Sequence, residues 1–129
     1  MIVIDTNILA YLYLPGEFTE QAETLLAQEP EWAAPILWRS EFRNILAGYL
    51  RRGTLSLDQV FAIQQEAESL MLSNEQFVDS GAVLELVSRS DCSAYDCEFI
   101  AAAQSLGTKL YTMDGKLLKA FPKIAKPLT

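Results

Sequence analysis

Ile2, Val3 and Ile4 form an unbroken apolar run, and Asp5 follows with no spacer. A run that is apolar at every position, rather than at every second one, fits a strand covered on both faces in a parallel sheet. The pattern predicts a strand over 2–5, then a helix that Asn7 caps, running to about Leu14 and ended by Pro15-Gly16. A second helix is expected from Thr19 to Ala27, and a short strand at Trp32-Ala33-Ala34. Pro35 suits the first turn of the next helix, which runs to about Arg52 and stops at Gly53. Ser56 with Gln59 forms a capping box, and Leu55 with Val60 fits a hydrophobic staple, at the start of a helix to about Leu72. Gln76-Phe77-Val78 reads as a strand, followed by a helix from Gly81 to Arg89. Ser93 caps a helix over 94–106, closed by Gly107 at the C′ position. Lys109 to Thr112 is a strand ending near Asp114, and Ile124 to Leu128 is an edge strand, where Pro127 is tolerable. Strands alternating with helices specify an α/β fold on a parallel sheet.

Two of these strands run into an aspartate, Asp5 and Asp114. In open parallel sheets, ligands bind outside the carboxyl ends of the strands, where the strand order reverses. Two further acids interrupt apolar helix faces. In "PILWRSEFRNILAGYL" the stripe is Leu37, Trp38, Phe42, Ile45 and Tyr49. Glu41, three after Trp38 and four before Ile45, points with them, while Arg39 and Arg43 lie on the other face. In "SAYDCEFIAAAQSLG", Asp96 precedes Phe99, Ile100 and Ala103 and shares their face. Each acid has an ordinary explanation. Asp96 can complete a helix start after Ser93, Asp5 can accept in a turn, Asp114-Gly115 is a turn pair, and Glu41 can pair with Arg52. A single shared site accounts for all of them. Gathered carboxylates repel one another unless a divalent cation neutralises them, and hard oxygen ligands select Mg²⁺ or Mn²⁺. Such a site activates water and stabilises charge on a phosphoryl group.

Composition narrows the chemistry. The 129 residues fit one domain, 1–129, and half of them are hydrophobic, enough for a real core. There is no histidine, which excludes Ser-His-Asp and Cys-His catalysis, paired-histidine RNA cleavage and histidine-ligated zinc. Cys92 and Cys97 lack a CxxC spacing and read as reduced thiols. No apolar run spans a bilayer and the start lacks a basic signal segment, so a soluble cytoplasmic protein is expected. The net charge of −7 does not advertise nucleic-acid binding, but its distribution is uneven. No Lys or Arg precedes Arg39; Arg39, Arg43, Arg51 and Arg52 cluster, and Lys109, Lys116, Lys119, Lys123 and Lys126 crowd the end. Such patches can still steer an anion.

"VIDTN", "RSEF", "SAYDCEFIAAAQSLG" and "LYTMD", in this order and spacing from Ile2 to about Phe121, resemble the successive motifs of PIN-domain ribonucleases, most of all the VapC-type toxins of bacterial toxin–antitoxin pairs. The resemblance implies a three-layer PIN fold, with a twisted parallel sheet of order 3-2-1-4-5 flanked by helices, and a metal-dependent endoribonuclease. It makes Asp5, Glu41, Asp96 and Asp114 the catalytic, Mg²⁺- or Mn²⁺-binding quartet, with Thr6, Asn7 and Thr112 supporting it by hydrogen bonds. Glu98 falls where such proteins vary and is expected on a solvated face. Arg39, Arg43 or the C-terminal lysines are candidates for RNA phosphates.

Two other classes compete. An aspartate-based phosphotransfer domain also places an acid after its first strand, but the dehalogenase-like pattern needs a second acid where Asn7 stands. A non-catalytic module could use the acidic pocket only to bind a partner's arginine. Leu9, Tyr11, Leu12, Tyr13 and Leu14 in close succession, with Val60, Phe61 and Ile63, suggest surplus apolar faces. A homodimer and a cognate antitoxin with a basic tail are therefore expected as partners, alongside the RNA substrate.

Overall fold

The computed structural model describes Met1–Thr129. Its core is a five-stranded, all-parallel sheet in the order β3-β2-β1-β4-β5, as expected. The strands are β1 (Ile2–Ile4), β2 (Trp32–Pro35), β3 (Glu75–Gln76), β4 (Leu110–Tyr111) and β5 (Ala125–Lys126). Seven helices flank it: α1 (Thr6–Tyr13), α2 (Thr19–Gln28), α3 (Trp38–Arg51), α4 (Leu57–Met71), α5 (Ser80–Ser88), α6 (Ala94–Leu106) and α7 (Gly115–Ala120). None is long and apolar enough to cross a membrane.

The central strand is β1, whose three residues are all buried; it pairs with β2 through Ile2–Trp32 and Val3–Ala33, and with β4 through Val3–Leu110 and Ile4–Tyr111. The chain moves outward from β1 to β2 and β3, then returns to the other side of β1 for β4 and β5. The strand order therefore reverses between β1 and β4. Their carboxyl ends leave the crevice in which this architecture binds ligands. Trp32, Trp38, Phe42 and Phe99, all fully buried, anchor the core beneath it. Each removes apolar area worth roughly 2–3 kcal/mol from water.

Several boundaries differ from the sequence expectation. Pro35 ends β2 rather than entering a helix, and α3 starts at Trp38. The expected strand at Gln76-Phe77-Val78 is only Glu75–Gln76, and Phe77 is 90% exposed. Asp5, not Asn7, caps α1, its carboxylate taking the Thr6 N–H at 2.8 Å. The six-residue α7 was read as a turn at Asp114-Gly115. In the apolar run of α1, Leu9 and Leu14 are buried, while Tyr11, Leu12 and Tyr13 pack against the core's margin, where α2, α3 and α4 adjoin α1. That face is less surplus than its sequence suggests. Leu57 and Phe61 on α4 do stand exposed, while Val60 is buried.

Two helix ends match the reading closely. Ser56 and Gln59 complete the reciprocal capping box of α4 at 2.8 and 3.2 Å. Gly107 closes α6 at φ +64°, with nothing near the place a Cβ would occupy. Gly107→Ala is thus a pure backbone test. It should lower stability by about 1–2 kcal/mol in a denaturant titration, the cost of a left-handed alanine.

Candidate active site

The buried polar or charged residues of the chain are Asp5 (8% exposed), Thr6 (3%) and Thr112 (0%). All three lie in one place, where β1 and β4 end. Burying polar groups there is tolerable only because they satisfy one another. Asp5 Oδ1 accepts the Thr6 N–H at 2.8 Å, and its Oδ2 accepts the Thr112 hydroxyl at 2.7 Å. The Thr112 oxygen in turn accepts the Asp114 N–H at 3.0 Å. The Thr6 hydroxyl, freed from capping duty by Asp5, donates to Glu41 Oε1 at 2.7 Å. Two threonines thus tie the ends of β1 and β4 to α3.

Asp5, Thr6, Asn7, Glu41, Asn44, Ile45, Asp96 and Asp114 line a single cavity of about 250 Å³. All four expected acids are among them, so chain segments more than 100 positions apart meet here. Glu41 forms no pair with Arg52, whose guanidinium instead lies over the Tyr49 ring at 4.7 Å. Asp96 lies in the first turn of α6, behind its Ser93 cap, as the helix-start account has it. Its N–H donates to Ser93 Oγ at 3.0 Å, but its carboxylate returns no bond to the Ser93 backbone, unlike Gln59 in α4. The salt-bridge explanation of Glu41 therefore fails, while Asp96 keeps its place at the helix start and still faces the cavity.

Burial raises Asp5 above the ordinary carboxyl range; the Thr112 and Thr6 bonds oppose this, and the charges of Asp96 and Asp114 add to it. Burial likewise raises Glu41, moderated by Thr6 and reinforced by Asp5, Asp96 and Glu98. Asp96 is raised by burial and by Asp114, with Ser93 and Lys116 pulling it down. Three acids whose charged forms are all disfavoured call for a cation.

The donor set fits a hard divalent ion: carboxylates and amide or hydroxyl oxygens, without imidazole or thiolate. The side chains do not form a closed ligand cage in their present positions, since no three acids are gathered closely enough to hold an ion. The hydrogen bonds explain the spread. Asp5 is held by both threonines, and Asp114 Oδ1 caps α7 by accepting the Lys116 and Leu117 N–H groups at 2.8 and 3.3 Å. An ion here would rely on water for part of its shell, which is usual for Mg²⁺.

Three residues stand differently from the sequence reading. Glu98 is half-buried, with its pKa raised by burial, and close enough to act on Glu41, not on a fully solvated face. Arg39 is committed to Glu75 and Glu68, with contacts of 2.6 to 2.9 Å. Asn44 lines the cavity and was missed; its position one turn after Glu41 on α3 was the available signal. Asn7 lines the cavity too, exposed at its rim.

Residues 2–125 match the PIN domain family. The chain is 31% identical over 130 aligned residues to Ribonuclease VapC3 of Pyrobaculum aerophilum, covering 98% of each. Among solved structures, a Pyrobaculum aerophilum protein superposes with a TM-score of 0.77 at 18% identity, over 98% of this chain and 83% of that one. FitAcB of Neisseria gonorrhoeae gives 0.76 at 17% identity over 100% and 97%, and a toxin–antitoxin complex from Klebsiella pneumoniae gives 0.70 at 18% over 98% and 97%. At such identities the solved structures speak to the fold.

Proposed function

The chain belongs to the PIN-domain family, and from that premise we propose that it is a Mg²⁺- or Mn²⁺-dependent endoribonuclease, the toxin of a cytoplasmic toxin–antitoxin pair. The observation that carries this reading is the single cavity joining Asp5, Glu41, Asp96 and Asp114 at the carboxyl ends of β1 and β4. Ribonuclease is the printed activity of the VapC3 relative, and the neighbours from Klebsiella and Neisseria include a toxin–antitoxin complex.

In this reading Asp5, Asp96 and Asp114 hold the ion. Bound there, it would supply neutralisation of charge on the scissile phosphate and a lower pKa for water. Thr6 and Thr112 fix the Asp5 carboxylate and so set where the phosphate lies. Glu41, with Oε1 anchored by Thr6, keeps Oε2 for the attacking water and accepts its proton, a role suited to an acid whose pKa lies above the ordinary range. In-line attack then leaves a 5′-phosphate and a 3′-hydroxyl. Asn7 and Asn44 can donate to phosphate oxygens at the rim. Arg43, exposed on α3, can meet a flanking phosphate, whereas Arg39 is occupied by its ion pairs.

The test is cleavage of an RNA oligonucleotide with Mn²⁺ or Mg²⁺ and with EDTA. We expect cleavage only with metal. Glu41→Gln, which keeps the Thr6 bond but cannot take a proton, should lower the rate by about 10²–10³-fold without lowering the melting temperature in EDTA. A chain that binds a basic antitoxin tail yet never cuts RNA would instead be a binding module. The exposed Leu57 and Phe61 are where we place a homodimer or antitoxin contact; a monomer by sedimentation would exclude the homodimer.

A further inference from the structure

Beside the acidic cavity, a second and larger one, about 450 Å³, is lined by Ser90, Asp91, Cys92, Lys116, Lys119 and Ala120. The two cavities share α7: Asp114, its cap, faces the first, and Lys116 and Lys119 face the second. Both lysines are exposed, and no carboxylate, Asp91 included, lies within ion-pair distance of either. On a chain of net charge −7 that is a notable pairing of open cations. Lys116 also follows Asp114 by two residues and donates its backbone N–H to Asp114 Oδ1 at 2.8 Å, which places it beside the quartet. Of the other candidates, Arg39 is neutralised by Glu68 and Glu75. Lys109 donates to the Lys123 carbonyl at the opposite, amino end of the sheet.

We propose that the trough between the loop at Ser90–Cys92 and α7 is a phosphate subsite of the RNA substrate, in which Lys116 and Lys119 hold a backbone phosphate adjacent to the one cut in the acidic cavity. This rests on the ribonuclease reading above. An RNA strand must bring polyanion to four carboxylates, and a cationic stretch on one side both offsets that repulsion and sets the direction in which the strand crosses the site. The Ser90 side chain adds a hydroxyl at the trough wall, although its Oγ already donates to the Leu86 carbonyl and accepts the Cys92 N–H. Lysine is apt here, because a point charge on a flexible stem suits a backbone that slides.

The experiment measures binding of a single-stranded RNA oligonucleotide by fluorescence anisotropy in EDTA, from low to moderate salt, with no cleavage step. Lys116→Ala/Lys119→Ala should weaken binding and reduce the slope of log K against log salt by about 0.7, the loss of one neutralised phosphate on a single strand. Lys116→Arg/Lys119→Arg should restore the slope. Lys109→Ala/Lys123→Ala removes the same charge at the far end of the sheet and should leave the slope unchanged. If the wild-type chain binds and cuts RNA while the Lys116/Lys119 double variant keeps the wild-type slope, or if both double alanine variants lose it equally, the subsite is overturned and the nuclease reading stands. If the wild type neither binds nor cuts RNA, the nuclease reading falls and takes the subsite with it.

Discussion

Asp5→Asn should lower RNA cleavage by about 10³-fold, the scale of removing one charge-stabilising group from a preorganised site, while raising the melting temperature of the metal-free protein. The substitution conserves volume. Asn Oδ1 can still accept the Thr6 N–H, and its amide N–H can donate to the Thr112 oxygen, reversing the bond in which the Thr112 hydroxyl donates to Asp5 Oδ2, at the cost of that hydroxyl's acceptor. What disappears is a charge that the fold does not want. Burial leads the causes that raise the Asp5 pKa above its ordinary 3.8, with Asp96 and Asp114 contributing. A carboxyl whose folded pKa is raised gives its full stability below the unfolded value and loses it as pH rises through the folded value. The advantage of the variant should therefore be absent near pH 3, grow as pH climbs past 4, and level off once wild-type Asp5 is ionised. A gain of about 1 kcal/mol, typical when a strained functional group is neutralised, corresponds to roughly 4 °C for a chain of this size. Saturating Mn²⁺ should reverse the order, since only the wild type gains strongly from binding. Melts across pH with EDTA and with Mn²⁺ decide the matter. A variant that melts lower at neutral pH in EDTA would show that ionised Asp5 is a structural cap.

Local chemistry made most of this architecture readable. A short run apolar at every position fits a strand buried on both faces, and the Ser56–Gln59 box and the left-handed Gly107 fix helix ends by groups within a few residues. The failures cluster where one local signal serves two structures. Asp114-Gly115 starts a turn and equally starts α7, because an aspartate accepting N–H groups two and three residues on is common to both. Pro35 suits a strand end as well as a first helical turn. Phe77 looked like part of a strand for its β propensity, yet the ladder to β2 ends at Gln76. The meeting of the four acids in one cavity was legible because a carboxylate among apolar neighbours is costly and so conspicuous. The ion pairs of Arg39 were not legible for the opposite reason. Its partners, Glu68 and Glu75, lie 29 and 36 positions away and leave no mark on the local pattern.

Glu75→Ala should destabilise the protein by about 2–3 kcal/mol, the range for leaving charged and polar donors without their acceptor in a part-buried setting. Glu75 Oε2 accepts both the Trp38 indole N–H at 2.9 Å and Arg39 Nε at 2.6 Å, and Oε1 accepts Arg39 Nη2 at 2.7 Å. The side chain of Glu75 is only 11% exposed, and that of Arg39 28%, so water repairs little. This fork pins the start of α3 to β3 and thereby sets the rotation of the helix that carries Glu41. Its pH signature is opposite to that of Asp5. The Arg39 bond, ahead of the Trp38 bond, holds Glu75 below its ordinary 4.5 despite some burial. A lowered carboxyl contributes stability above its unfolded pKa and loses it as pH falls through the folded value. Wild type and Glu75→Ala should thus differ fully at pH 7 and converge below pH 4, in acid titrations followed by circular dichroism. Glu75→Gln, which keeps the side-chain shape and one of the two acceptor oxygens, should lose less than Glu75→Ala and cleave RNA at close to the wild-type rate at 25 °C, because no atom of the fork lines the acidic cavity. An equal loss of activity in Glu75→Gln and Glu41→Gln would mean that the orientation of α3, rather than the Glu41 carboxylate itself, limits the reaction.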